Sequence, residues 1–108
     1  MTESEVKRIV LIALKELYKA ELLQNAESAA YKEISDRLYR YFSGADDSEL
    51  LTVMRTLFQD KYFFVIPSHY RDGKTLEEIA EEMDVDIRTI SRHKKRICLE
   101  IFKRLQPE

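Results

Sequence analysis

Residues 86–105 hold seven cations, Arg88, Arg92, Lys94, Lys95, Arg96, Lys103 and Arg104, against only Asp86 and Glu100, a local balance of +5 with histidine neutral. Side chains of that type and density do one kind of chemistry well: they hold phosphate oxygens. They need no basic whole-chain charge to do it. The full chain carries a formal charge of −2, so the cationic footprint is local. The stretch before it is the reverse, with five carboxylates and no Lys or Arg over residues 75–85. Lysine and arginine on a solvated helix would by themselves serve only solubility. What separates the two readings is the element that carries the charges.

That element is specified in detail. The Thr75 hydroxyl can accept a bond from a first-turn N–H, and Glu78 stands where it completes a capping box. Leu76, Ile79, Ala80 and Met83 then share one face at helical spacing. Asp84 falls where the chain must turn, and aspartate tolerates the left-handed conformation better than most residues. Val85 plugs the turn, Asp86 caps a second helix opening at Ile87, and Ile90 is its inward residue. Small Ala80 lets the two helices approach closely. The pattern predicts a helix-turn-helix whose second helix is cationic. Arg88 and Arg92, four apart, project from one side of it.

Residues 70–97, YRDGKTLEEIAEEMDVDIRTISRHKKRI, resemble the fourth region of bacterial sigma factors. They are still more similar to the small sigma-like late-transcription regulators of phages and mobile elements, of the ArpU/RinA type. The resemblance rests on Tyr70, Asp72 and Gly73 ahead of the first helix, on Glu77, Glu78, Ile79 and Ala80, on Thr89 through Arg92, and on the closing Lys94, Lys95 and Arg96. It is good over residues 60–102. It implies a reading helix with Ile87, Arg88, Ser91 and Arg92 in the major groove, and Thr89, Lys94, Lys95 and Arg96 on phosphates. Double-stranded DNA is then the partner, with RNA polymerase as a second contact. The chain departs from the pattern twice. His93 stands where relatives place an apolar inward residue, and Pro67 interrupts a run that relatives continue as helix. A kink or a new helix start is expected between residues 66 and 68.

Composition bounds the remainder. With 108 residues, 44% hydrophobic content, two Gly and two Pro, the chain suits one small all-α unit with short loops. No apolar run approaches the ~20 residues that span a bilayer. Residues 9–14 form the longest candidate, too short and too flanked by charge for a signal peptide. The single Cys98 excludes an internal disulfide, fits a reducing cytoplasm and reads as core. No enzyme is expected: His69 and His93 lie on different elements, with no metal-ligand spacing, phosphate loop or nucleophile elbow, and no cofactor is implied.

The elements that must position the cations are also legible. Thr2 and Glu5 form a capping box for a first helix running to about Gln24, followed by a second over residues 27–42 closed by Gly44. A third helix starts at Asp46 or Asp47, buried through Leu50, Val53, Met54, Leu57 and Phe58. Tyr62, Phe63, Phe64, Val65 and Ile66 read as a buried helix interrupted at Pro67. Ile97, Ile101 and Leu105 extend the apolar side of the last helix. The expected architecture is an N-terminal helical pair over residues 1–44, for packing, dimerisation or docking, and a sigma region 4-like helix-turn-helix domain over residues 45–108. Charges cancel over residues 1–42, seven against seven, so the pair has no phosphate-binding character. Its apolar surplus, Val6, Val10, Ala13 and Leu17 with Leu11, Leu22 and Leu23, must fold against the body or join another chain. We expect a homodimer with half-sites about 34–36 Å apart. The function expected is sequence-specific reading of duplex DNA to regulate transcription. The alternative is a DNA-binding assembly module, such as a phage small terminase subunit or a recombination accessory protein.

Overall fold

Nothing between residues 3 and 42 stops a helix, since the first glycine of the chain is Gly44 and the first proline Pro67. In the computed structural model, which describes residues 2–107, the expected N-terminal pair is accordingly one continuous helix, α1 (Glu3–Phe42). The polar Gln24 and Asn25 lack the steric character of a breaker, and Ala26, Ala29 and Ala30 beyond them favour helix. Thr2 and Glu5 form the expected capping box. At the other end Gly44 takes φ 111°. Its N–H reaches the Tyr41 carbonyl, and the Ala45 N–H reaches that of Arg40, the paired bonds of a Schellman termination.

The remaining elements are α2 (Ser48–Arg55), α3 (Val65–Tyr70), α4 (Leu76–Met83) and α5 (Ile87–Leu105). There is no strand among the described residues. Asp47 caps α2 through the Leu50 N–H and also accepts a two-pronged bond from Arg37 of α1. That pair closes the α1–α2 corner. The aromatic run differs from the helix expected of it: Tyr62, Phe63 and Phe64 lie in consecutive turns, and helix begins only at Val65. Pro67 thus sits in a first turn, where its missing N–H costs nothing. Phe58, expected inside, is exposed on the turn after α2 and leans on Phe63.

Two clusters make the core. The larger joins Ile34 and Leu38 of α1, Leu50 and Met54 of α2, Leu57, Ile66 and Tyr70, and Ile97, Cys98 and Ile101 of α5. The smaller holds Val65, Ile79, Ala80 and Ile90, with Leu76, Met83 and Val85 against it. It ties α4 to the start of α5. Only the second half of α1 takes part: every residue from Thr2 to Ala26 is exposed. At about 1.5 Å per residue α1 is about 60 Å long, and it sets the molecule's longest dimension of 62 Å.

Among the described residues Asp84 carries the one positive φ on a non-glycine residue, 57°. Its N–H bonds to the Glu81 carbonyl while the Val85 N–H bonds to that of Ala80. A side chain branched at Cβ is poorly tolerated in this conformation, at about 1–2 kcal/mol. Asp84→Val should therefore destabilise the chain by about that amount in urea unfolding, while Asp84→Gly stays within about 0.5 kcal/mol of the parent. Equal losses in both variants would mean that the aspartate side chain, not the backbone angle, holds the turn.

Candidate nucleic-acid interface

The cationic helix begins where α4 ends. Thr75 caps α4 by accepting from the Glu78 N–H, but the expected reciprocal bond is replaced: the Thr75 hydroxyl donates to the Glu78 carboxylate at 3.2 Å. After the turn at Asp84, Asp86 caps α5 by accepting from the Arg88 N–H at 2.7 Å. Ile90, Ile97, Cys98 and Ile101 are fully buried and fix which way α5 faces. At about 100° per residue, Arg88, Arg92, Lys95 and Lys103 fall on the opposite side, and all four are exposed.

The first turns of α5 present Ile87, Arg88, Ser91 and Arg92 to solvent, as the sequence led us to expect of the base-facing set. Ile87 is 40% exposed, an apolar contact left uncovered beside the arginines. The Arg88 guanidinium lies 3.2 Å and 3.3 Å from the Asp86 carboxylate oxygens, a surface pair that costs little to release. Asp86, Arg88, Thr89 and Arg92 line a shallow surface dip, with Thr89 half-buried at its floor. Among the described residues, Arg92, Lys95 and Lys103 make no ion pair. A second dip runs alongside, lined by Glu27 of α1 with Arg92, Lys95, Leu99 and Lys103.

Two cations assigned to phosphates have other surroundings. Lys94 is only 8% exposed. Its ammonium lies 5.4 Å from the Tyr31 ring centre and 5.3 Å from that of Tyr70, so cation–π attraction holds it against α1 and α3. It faces into the protein, away from the outward cations. Arg96 gives a two-pronged bond to Asp60, at 2.8 Å and 3.0 Å, and donates to His93 Nδ1 at 3.1 Å. Its task is to tie the turns before α3 to α5. Lys103 joins the outward stripe in its place. The spacing 88, 92, 95, 103 carries that stripe once Ile90, Ile97 and Ile101 are recognised as the inward phase.

His93 has a structural explanation. Its ring stacks on Tyr62 at 3.7 Å and 6°, which fills the place an aliphatic residue would take. Burial, with Arg96 and Arg92 nearby, pushes its pKa down, so the neutral ring accepts from Arg96. His69 is likewise structural. Its Nδ1 donates to the Lys74 carbonyl at 2.8 Å, and its Nε2 lies within hydrogen-bond distance of the Tyr39 hydroxyl at 3.1 Å. Cys98 is buried beside the Tyr70 hydroxyl at 3.7 Å, and burial raises its pKa to about 11. Tyr70 in turn bonds Ser35 of α1 at 2.8 Å. Among the described residues no cluster of His, Cys, Asp or Glu could hold a metal ion, and no helix is long and apolar enough to cross a membrane.

No family model, curated protein or solved structure matches the chain.

The Asp60–Arg96 pair gives a pH test. Hydrogen bonds from Arg96 and from the Tyr62 N–H hold the Asp60 carboxyl at about 2, below its ordinary 3.8. A carboxyl lowered on folding stabilises the native state above the ordinary value and loses that contribution as pH falls from about 4 to about 2. Because Arg96 is half in water, the effect is discounted to about 1 kcal/mol. Asp60→Asn should lower urea stability at pH 7 by about that amount and flatten the decline in stability below pH 4. A parallel decline in parent and variant would remove Asp60 as its source.

Proposed function

We propose that the chain is a sequence-specific reader of double-stranded DNA that regulates transcription, and that it acts as a binding protein, not an enzyme. In this reading α4 and α5 form a helix-turn-helix, with the first turns of α5 in the major groove. The observation that carries it is the outward stripe of α5. Among the described residues Arg92, Lys95 and Lys103 make no ion pair, and they lie on the side opposite the buried isoleucines, with Arg88 and Ile87 at the helix's leading end. Ile87, Arg88, Ser91 and Arg92 face the bases. An arginine can grip guanine O6 and N7 with two bonds, and an apolar side chain can meet a thymine methyl. Lys95 and Lys103 meet phosphates, with Thr89 at the edge of the groove.

The likeness of residues 70–97 to sigma region 4 supports RNA polymerase as a second partner, in the cytoplasm of a phage- or mobile-element-bearing bacterium. A lone module of this size buries little DNA surface. The exposed half of α1 supports a homodimer that addresses two half-sites.

Genomic-fragment selection with the purified chain should return a preferred duplex. Arg88→Ala or Arg92→Ala should weaken that duplex by about 1–3 kcal/mol and random duplex by much less. Equal loss on both would reassign the arginine to a phosphate, and the absence of salt-dependent duplex binding would overturn the reading.

The two neighbouring lysines should behave differently on the same duplexes. Lys95→Ala should weaken every sequence alike and reduce the slope of log K against log salt by about 0.9. Lys94→Met, whose parent side chain is buried between two tyrosines, should leave the slope unchanged. A slope reduced by Lys94→Met would return Lys94 to the DNA.

A further inference from the structure

Residues 2–26 of α1 are exposed along their whole length, yet they carry Val6, Ile9, Val10, Leu11, Ile12, Leu14, Leu17, Tyr18, Leu22 and Leu23. Leu17 alone is 65% exposed. So much contiguous apolar surface on an exposed helix marks a place of association, and the charges indicate with what. Residues 2–26 hold four Lys or Arg and four Asp or Glu. Their charges cancel, so they lack the net positive charge that an anionic lipid surface or nucleic acid would select. The three cations that share a face, Arg8, Lys15 and Lys19, lie opposite the stripe of Val6, Val10, Ala13 and Leu17.

We infer that this arm pairs antiparallel with the arm of a second copy, in the register that sets seam residue i opposite seam residue 30 − i, with the two flanking rows offset to 28 − i and 32 − i. The inference rests on the homodimer reading above but not on DNA binding. Val6, Val10, Ala13, Leu17, Ala20 and Gln24 recur at alternating spacings of four and three, the seam of a two-helix coil. Over its four central positions large and small residues alternate. In the antiparallel register Val10 meets the second copy's Ala20, and Leu17 its Ala13, so the bulky side chains of these layers face small ones and interdigitate, while Val6 meets Gln24 at the two ends. On one flank Lys7 meets Glu21 of the other copy, twice by symmetry, with Leu14 against its own counterpart between them. On the other flank Ile9 meets Leu23. Glu16 approaches its own copy there, at a wet rim where like charges cost little.

A parallel pair is worse on each count. It stacks Ala13 on Ala13 and Ala20 on Ala20, leaving thin layers. It also sets Glu16 beside Glu21 on both flanks, where like charges repel. The antiparallel register centres on Lys15, whose side chain points away from the seam. Glu27, which shares a surface dip with Arg92 and Lys95, marks the level of the cationic stripe. With about 1.5 Å of rise per residue, the two Glu27 levels fall about 36 Å apart along the arms. That matches the spacing of about 34–36 Å between half-sites one DNA turn apart.

Cysteine pairing in the full chain tests the register, because Cys98 is buried and stays out of the reaction. Under mild oxidation Val10→Cys/Ala20→Cys should form a covalent dimer, while Val10→Cys and Ala20→Cys singly should not. A disulfide in the single Val10→Cys variant would overturn the antiparallel register while leaving self-association intact. Sedimentation of the parent as a monomer at micromolar concentration would overturn both. The flank is tested separately. Glu21→Lys should raise the dimer dissociation constant at least about threefold, and Lys7→Glu/Glu21→Lys should restore it to within about twofold. Failure of the exchange to restore pairing would remove the Lys7–Glu21 contact and the register with it.

Discussion

The phase of α5 governs everything else the molecule offers. Ile90, Ile97, Cys98 and Ile101 are fully buried, against α4 at one end and against α1, α2 and α3 at the other. Each buried isoleucine removes enough apolar surface from water to contribute roughly 1.5–3 kcal/mol. Turning the helix by half a turn would expose all of them together. The outward stripe of cations is what remains once that turn is fixed. Core packing, not the charges themselves, therefore decides which lysines and arginines face outward. Lys94, only two residues from Arg92, illustrates the point: the same phase that presents Arg92 to solvent sends Lys94 between two tyrosines.

Local chemistry was legible in the sequence, and distant chemistry was not. The caps at Thr2, Thr75 and Asp86, the left-handed turn at Asp84 and the glycine stop at Gly44 each depend on a few adjacent residues. All of them stand where their residue types put them. So do the inward residues of α4 and the start of α5. Lys94 was misplaced because Tyr31 and Tyr70 lie on other elements. Arg96 was misplaced because Asp60 is equally remote in the chain. The His93 departure is explained by Tyr62, remote in the chain, which lies flat against it. The continuity of α1 through Gln24 and Asn25, where two helices are expected, has a different cause: neither residue carries the stop that glycine or proline would.

The ion pairs follow a division of labour. Two of the two-pronged bonds from arginine to aspartate hold irregular chain to a distant helix, Arg37 with Asp47 at the first corner and Arg96 with Asp60 at the second, whereas Arg71 with Asp72 and Arg88 with Asp86 join near neighbours on the surface. Arg104 reaches Thr56 across the same region at 2.7 Å. His69 makes a further link, joining α1 to the segment before α4 through Tyr39 and the Lys74 carbonyl. Cations so engaged are lost to any ligand, which leaves the outward set smaller than the count of basic residues suggests.

The unbroken course of α1 makes its exposed half a stiff extension of the folded body. Its root is fixed by Ala30, Ile34 and Leu38, and no glycine or proline lies along the shaft. Rotation is therefore transmitted along it as faithfully as position. Adding one residue near Ala26 would swing the arm by about 100° and advance it by about 1.5 Å, whereas adding seven would nearly restore its heading. Any object that grips the arm thereby aims α5. The direction in which the cations point is written in the residue count of a segment that never touches them.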